Sequence, residues 1–248
     1  MSRSLLSQVR GAVVGLCAAL LVNVSSVSAC NVSLSQGQTG YWWVGGFQTG
    51  STVLYGDAAS LNARNPSPVY TASSAWTALE NHTTGCSGCI AQVGWFHTYY
   101  LGNPTIFTDF TNSSGVITPS VAYNQMPSGT IENFKVQYVD GPSGNPVSFG
   151  FQWNEGAASA NAYFKPYGIP DLGEVQDFTS CSPIDCGSQA VGDSNDTINF
   201  TGAQYTLKSG AQYTANLNYS NPFARTPDQR MTSYSGSSFS TWDSRCTS

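Results

Sequence analysis

Few side chains in this chain can do chemistry. It carries two histidines and four glutamates: Glu80, Glu132, Glu155 and Glu174. His82 belongs to Asn81-His82-Thr83, a glycosylation-type sequence expected on an exposed loop. His97 alternates with Trp95 and Tyr99, the pattern of a half-buried strand position. Two histidines leave little room for a Ser-His-Asp triad, and no Gly-X-Ser-X-Gly elbow is present. No Gly-X-X-X-X-Gly-Lys loop offers a phosphate cradle. Glu155, in Asn154-Glu155-Gly156, reads as a solvated turn residue. Glu174 stands inside Leu172-Gly173-Glu174-Val175-Gln176-Asp177-Phe178, where alternation groups it with Gln176 and Phe178. A glutamate in an apolar strand is costly to bury unless it is paired. It therefore faces water across a sheet or lines a site.

Gln92 is the second unusual polar residue. In Ile90-Ala91-Gln92-Val93-Gly94-Trp95-Phe96, alternation sends Ala91, Val93 and Trp95 to one side, which suits a core between sheets. Gln92 and Gly94 go to the other side. A glycine there would leave room for something to approach the strand. The same pattern also fits an ordinary solvent-facing polar residue.

The elements that hold these residues read as strands. No stretch of a dozen residues keeps a helical period free of Gly, Pro or β-branched residues. Strand-like runs are expected at 41–47, 52–58, 75–80, 90–99, 105–111, 134–140, 147–153, 162–166, 173–179, 197–200, 204–207, 213–219 and 239–242. Turn signals separate them, such as Asn112-Ser113-Ser114-Gly115 and Lys208-Ser209-Gly210. The expectation is an all-β fold: a two-sheet antiparallel sandwich, a concanavalin-like jelly roll. Residues 30–248 form one domain with no linker, repeat or charge block. The Ser-rich stretch 233–240 reads as a surface loop.

Composition excludes several functions. Charged residues are 9% of the chain, the net charge is −5, and there are three lysines, so the basic footprint of a nucleic-acid binder is missing. Aromatic residues reach 12%, too many for a disordered chain of low hydrophobicity. Residues 1–29 read as a secretory signal, with Arg3 and Arg10, an apolar run from Ala12 to Val22, and Val27-Ser28-Ala29 before the cut. The apolar run is too short to span a bilayer. The expected location is secreted and extracellular, with no membrane partner and a monomeric state. Val-Ser-Ala-Cys also fits a lipid-attachment site at Cys30, but lipidation would leave an odd thiol among Cys30, Cys86, Cys89, Cys181, Cys186 and Cys246. The preferred pairing is 86–89, 181–186 and 30–246. Two histidines and an oxidising route argue against zinc. Beyond the expected signal, six Asn-X-Ser/Thr sites, at Asn31, Asn81, Asn112, Asn195, Asn199 and Asn218, mark polar loops.

Ser74-Ala75-Trp76, then Gln92-Val93-Gly94-Trp95, then Leu172-Gly173-Glu174-Val175 resemble the glutamic peptidases. These are secreted β-sandwich endopeptidases active in acid. In the eqolisin branch the catalytic pair is a glutamine on a Gln-X-Gly strand and a glutamate on a later strand. Gln92 matches that glutamine, and Glu80 matches the acid four residues after the Ser-X-Trp tryptophan. In the neprosin branch a Glu-Ala-Gly-Trp strand precedes Gly-Gly-Glu-Val. Residues 92–95 match the first with Gln for Glu, and residues 172–175 match the second with Leu for the first Gly. An acidic residue after the eqolisin glutamine would fall at Phe96 and is absent, and residues 187–248 match neither branch.

The resemblance implies a polypeptide substrate, Glu174 as general base and then acid, and Gln92 as oxyanion stabiliser. Glu80, Trp76 and Trp95 would support them, Glu80 as a neighbouring carboxyl that raises the pKa of Glu174. No metal and no organic cofactor is implied. A rival from another class is a glycan-binding sandwich with Trp42, Trp43, Trp95 and Trp153 as its aromatic face.

Overall fold

The computed structural model describes residues 32–33, 41–47, 53–63, 72–81, 86, 88–98, 103–118, 121–166, 170–177, 187–188, 197–215, 217, 219–220, 229–231 and 236–243. Every regular element among them is a strand. In chain order these are β1 (Val32–Ser33), β2 (Tyr41–Phe47), β3 (Gly56–Asn62), β4 (Ala72–Asn81), β5 (Cys89–Thr98), β6 (Thr105–Phe110), β7 (Val121–Gln125), β8 (Ile131–Asp140) and β9 (Pro146–Trp153). They continue as β10 (Gly156–Asn161), β11 (Pro170–Asp177), β12 (Gly187–Ser188), β13 (Ile198–Thr206), β14 (Gln212–Thr214), β15 (Tyr219–Ser220), β16 (Gln229–Met231) and β17 (Phe239–Asp243).

Two antiparallel sheets form the sandwich. One runs β15-β2-β11-β4-β5-β6-β7. The other runs β10-β9-β8-β3-β13-β17-β16, with β14 beside β13. β1 pairs with β12 separately. The fold class expected from alternation is the one found.

Alternation explains the core. Along β8, Phe134, Val136 and Tyr138 are buried while Asn133, Lys135 and Gln137 lie outward. β4 and β5 send Ala75, Leu79, Ala91, Val93 and Trp95 into the same core. Trp95, Phe134, Phe149, Phe151 and Phe200 are its largest fully buried side chains. Each contributes about 1.5–3 kcal/mol or more through removal of apolar area from water. Phe200 on β13 stacks on Phe239 of β17, with centroids 4.4 Å apart, because the ladder sets them opposite one another. His97 is buried rather than half-buried, only 3% exposed.

Several expected strand boundaries are corrected. The run 52–58 becomes β3 at Gly56–Asn62, where Asp57, Ala59 and Leu61 are the buried positions. The run 162–166 is irregular, and the strand is β10, a hairpin with β9 closed by Asn154-Glu155. β3 and β10 are built mostly from small Gly, Ala, Ser and Asn residues with weak strand propensity, so their pairing comes from neighbours. The runs 197–200 and 204–207 are one strand, β13, interrupted by a register shift between Thr201 and Gln204. Gly202 takes a positive φ of 64° there, which a side chain would resist. The run 213–219 divides into β14 and β15. Residues 239–240 of the Ser-rich stretch belong to β17.

The Cys86–Cys89 bridge is present, with Cα atoms 5.4 Å apart. Cys30, Cys181, Cys186, Cys246, the expected signal at 1–29 and His82 lie outside the described residues.

Candidate functional site

β4, β5 and β6 are adjacent in the seven-stranded sheet, and the sheet is buried on both faces there. One face meets the inter-sheet core. The other carries a second apolar cluster of Trp76, Ala78, Ile90 and Phe107, with Phe96 packed against it. The Phe96 and Phe107 rings meet edge to face at 5.8 Å. Alternation places Gln92 on this second face, half-buried and flanked by Ile90 and Gly94. The β4–β5 ladder is continuous, so Gln92 stands opposite Ala78, and Glu80 stands opposite Ile90 on the same face. Glu80 is half-buried.

Gly94 has a different reason from the one the sequence suggests. A Cβ there would lie 2.6 Å from the Cα of Trp76 and collide with the Ala75 carbonyl. The space beside Gly94 is taken by β4 itself. The glycine permits close strand approach rather than access for an outside group.

Sequence reasoning missed Asp109. The β5–β6 ladder sets it directly across from Gln92, and it is only 6% exposed. The signal was weak, since one aspartate in Thr105-Ile106-Phe107-Thr108-Asp109-Phe110 reads as an ordinary outward residue. β4 through β7 contain no lysine or arginine.

Glu174 lies on β11, the strand on the other side of β4. It stands opposite Ala75 of β4 and Val44 of β2. Gln92 and Glu174 thus share a sheet and flank the same central strand. They do not share a rung. Their rungs, at Ala78 and Ala75, are three positions apart, an odd number, so alternation gives the two register positions opposite parity. The residue of β11 on the Gln92 rung is Asp171, which gives the order Asp171, Ala78, Gln92, Asp109 across four strands.

The supporting residues separate. Trp76 is buried on the Gln92 face. Trp95 is fully buried on the opposite face, in the inter-sheet core, and backs the strand instead of lining the site. Trp153 also belongs to that core. Neither ring is available to a sugar, so the aromatic face of the glycan-binding rival loses both. The side chains of Trp42 and Trp43 lie outside the described residues.

A second acid lies behind the site. Asp57 of β3 is 1% exposed and accepts a hydrogen bond from the Thr77 hydroxyl of β4. Burial pushes its carboxyl well above the usual aspartate range, against the hydrogen bonds from Thr77 and from the backbone of Ala58 and Ala78. Glu132 of β8 is also raised by burial, although it accepts the backbone N–H of Asn154. That contact ties Glu132 to the β9–β10 turn, away from Gln92. Glu155 is exposed in the turn, as its sequence suggests. Among the described residues no three His, Cys, Asp or Glu side chains gather into a metal-binding group.

No protein-family model matches this chain. No curated protein matches it in sequence. Solved structures are similar in fold. Scytalido-glutamic peptidase, in complex with a peptide-based transition-state analogue, superposes with a TM-score of 0.56 at 14% identity. The match covers 83% of this chain and all of that one. A second structure of scytalido-glutamic peptidase, with a transition-state analogue inhibitor, gives a TM-score of 0.57 at 13% identity over the same shares. SCP-B, an eqolisin in complex with the tripeptide Ala-Ile-His, gives 0.53 at 14% identity, again with 83% of this chain and 100% of that chain covered. At these identities the likeness concerns the fold, and this chain has a glutamic peptidase-like β-sandwich.

Proposed function

We propose that this chain is a secreted hydrolase of peptide bonds that works in acid. The observation that carries the reading is the position of Gln92. It is half-buried in the seven-stranded sheet, on a face with Trp76 and beside two acidic positions, Glu80 and Asp109. The Ser-X-Trp, Gln-X-Gly-Trp and Gly-Glu-Val motifs fall on β4, β5 and β11, three neighbouring strands of this sheet, with Gln92 and Glu174 at register positions of opposite parity.

In this reading Glu174 takes a proton from a water that attacks the peptide carbonyl. It then returns that proton to the leaving amine. Gln92 keeps its charge state throughout, because an amide neither gains nor loses a proton in this range. One Nε2–H donates to the oxyanion as the carbonyl becomes tetrahedral. Removing such a donor costs roughly 10²- to 10³-fold in kcat.

The test is cleavage of a denatured protein substrate by the purified mature chain between pH 2 and 8, with Gln92→Ala and Glu174→Gln alongside. Cleavage confined to acid, and lost in both variants, supports the reading. A folded protein that cuts nothing over this range overturns it.

A further inference from the structure

We infer that Asn112 is an N-glycosylation site whose glycan covers an exposed apolar rim beside β7. The inference goes beyond the peptidase reading and does not depend on it. It requires only passage through a secretory route that glycosylates. Asn81, Asn112 and Asn199 are the Asn-X-Ser/Thr asparagines among the described residues, and the structure separates them. Asn81 is a β4 residue, 6% exposed, opposite Cys89 in the β4–β5 ladder. A glycan on a side chain so enclosed would have to open the ladder. Asn199 lies inside β13, which pairs with β3 on one edge and β17 on the other. Its Oδ1 accepts the hydroxyls of Thr197 and Ser240. Neither asparagine is on the loop that its sequence suggests. Asn112 is. It opens the turn between β6 and β7, followed by exposed Ser113, Ser114 and Gly115.

The turn sets the acceptor amide. Oδ1 of Asn112 accepts the backbone N–H of Ser114 at 2.9 Å and that of Val116 at 3.2 Å. Held by its oxygen, the amide presents Nδ2 on its other side, where it donates to no group among the described residues. The Ser114 hydroxyl completes the acceptor sequence. In the transfer, Nδ2 attacks the anomeric carbon of an oligosaccharide carried on a lipid diphosphate. A C–N bond forms, the C–O bond to the diphosphate breaks, and the lipid diphosphate leaves. Nδ2 gives one proton to a base of the transferase.

A second observation supplies the role. Val116, Ile117 and Val121 are 59%, 50% and 51% exposed, three large apolar side chains crowded into one short stretch. They belong to the Asn112 hairpin. The Asn112 N–H donates to the Val116 carbonyl at 2.9 Å, Thr111 bridges to Ile117, and Thr108 pairs with Val121. β7 is the last strand in the order of the seven-stranded sheet, so this rim is also a sheet edge. An apolar edge is a template for pairing with another chain. A bulky, solubilising glycan beside it obstructs that pairing.

The experiment produces the chain from Cys30 onward in a eukaryotic secretory host, behind a leader that the host exports. Peptide N-glycosidase leaves an aspartate at each occupied site, and peptide mass spectrometry reads it. The folded, secreted monomer should show this conversion at Asn112 and not at Asn81. Ser114→Ala should remove the Asn112 glycan and keep the turn, because the turn uses the Ser114 N–H rather than its hydroxyl. Its unfolding midpoint should match that of enzymatically deglycosylated wild type. Its aggregated fraction, read by light scattering as the protein is concentrated, should rise several-fold over the glycosylated chain. Adding Val116→Ser, Ile117→Thr and Val121→Thr to Ser114→Ala should return aggregation toward the glycosylated level. A secreted monomer with Asn112 unmodified overturns the site, as does a folded monomer carrying glycan at Asn81 with Asn112 bare. Ser114→Ala that aggregates no more than the glycosylated chain, or is not improved by the three polar substitutions, overturns the covering role. Neither readout uses catalysis, so a chain that cleaves no peptide ends the peptidase reading and leaves this one to be decided by the glycan.

Discussion

Thr77 on β4 donates its hydroxyl to the carboxyl of Asp57 on β3, so a buried acid ties one sheet to the other behind Gln92. Both residues are almost completely excluded from solvent. The contact connects the stability of the sandwich to pH.

The sign follows from the direction of the shift. Burial raises the folded-state pKa of Asp57 well above its ordinary value. The unfolded chain titrates an aspartate at about 3.9. Between these values the folded state holds a proton that the unfolded state releases. Stability from this group is complete below the unfolded pKa and is lost as pH rises toward the folded one. Glu132, also raised by burial, acts in the same direction. Asp140, half-buried and lowered by its Lys208 and Tyr55 partners, acts in the opposite direction. We expect the urea midpoint to be highest in acid and to fall toward neutrality. One such group contributes a slope of at most about 1.4 kcal/mol per pH unit. Asp57→Asn should flatten the slope and stabilise the protein at pH 7. An unchanged slope in that variant would remove Asp57 from the explanation.

Gly94→Ala should destabilise the fold. The added methyl would meet the β4 backbone at Ala75 and Trp76, and backbone cannot rotate away as a side chain can. Overpacking of this kind costs about 1–3 kcal/mol. Thermal unfolding measures it, and a midpoint equal to wild type would show that β4 and β5 separate without cost.

Trp95→Ala separates the core from the site. Its indole is fully buried in the inter-sheet core, and removal should cost about 3–5 kcal/mol. KM, measured well below the new unfolding midpoint, should stay near wild type, because the ring is on the face away from Gln92. A KM changed as strongly as in a Trp76 variant would contradict that placement.

The identity of the catalytic carboxyl can be decided by comparing Glu174→Gln with Asp171→Asn. Glu174 has the motif, and Asp171 has the rung. The proposed function requires that Glu174→Gln abolish cleavage, since an amide is no base at these pH values. Asp171→Asn should retain most of kcat. The reverse result would transfer the base to Asp171 and keep Gln92 in place. Gln92→Ala should lower kcat by about 10²-fold or more with a smaller change in KM, the pattern of an interaction made mainly in the transition state.

Period-two alternation was enough to foresee an all-β chain, the inward set Ala91, Val93 and Trp95, and the outward pair Gln92 and Gly94. Each side chain's face depends only on its neighbours along one strand. The same reasoning located β2 at Tyr41–Phe47. It also located most of β8 and β9, where large apolar residues mark the buried side. It failed at β3 and β10, whose small residues carry no such mark and become strands only because flanking strands pair with them. It split β13, because the turn residue Gly202 absorbs a bulge inside a continuous strand. What no single segment contains is register. That Asp109 stands across from Gln92, that Asp171 rather than Glu174 shares its rung, and that Asp57 meets Thr77 between the sheets are all relations between distant segments. They depend on how hydrogen-bonded ladders align and how two sheets pack, so only the tertiary structure decides them.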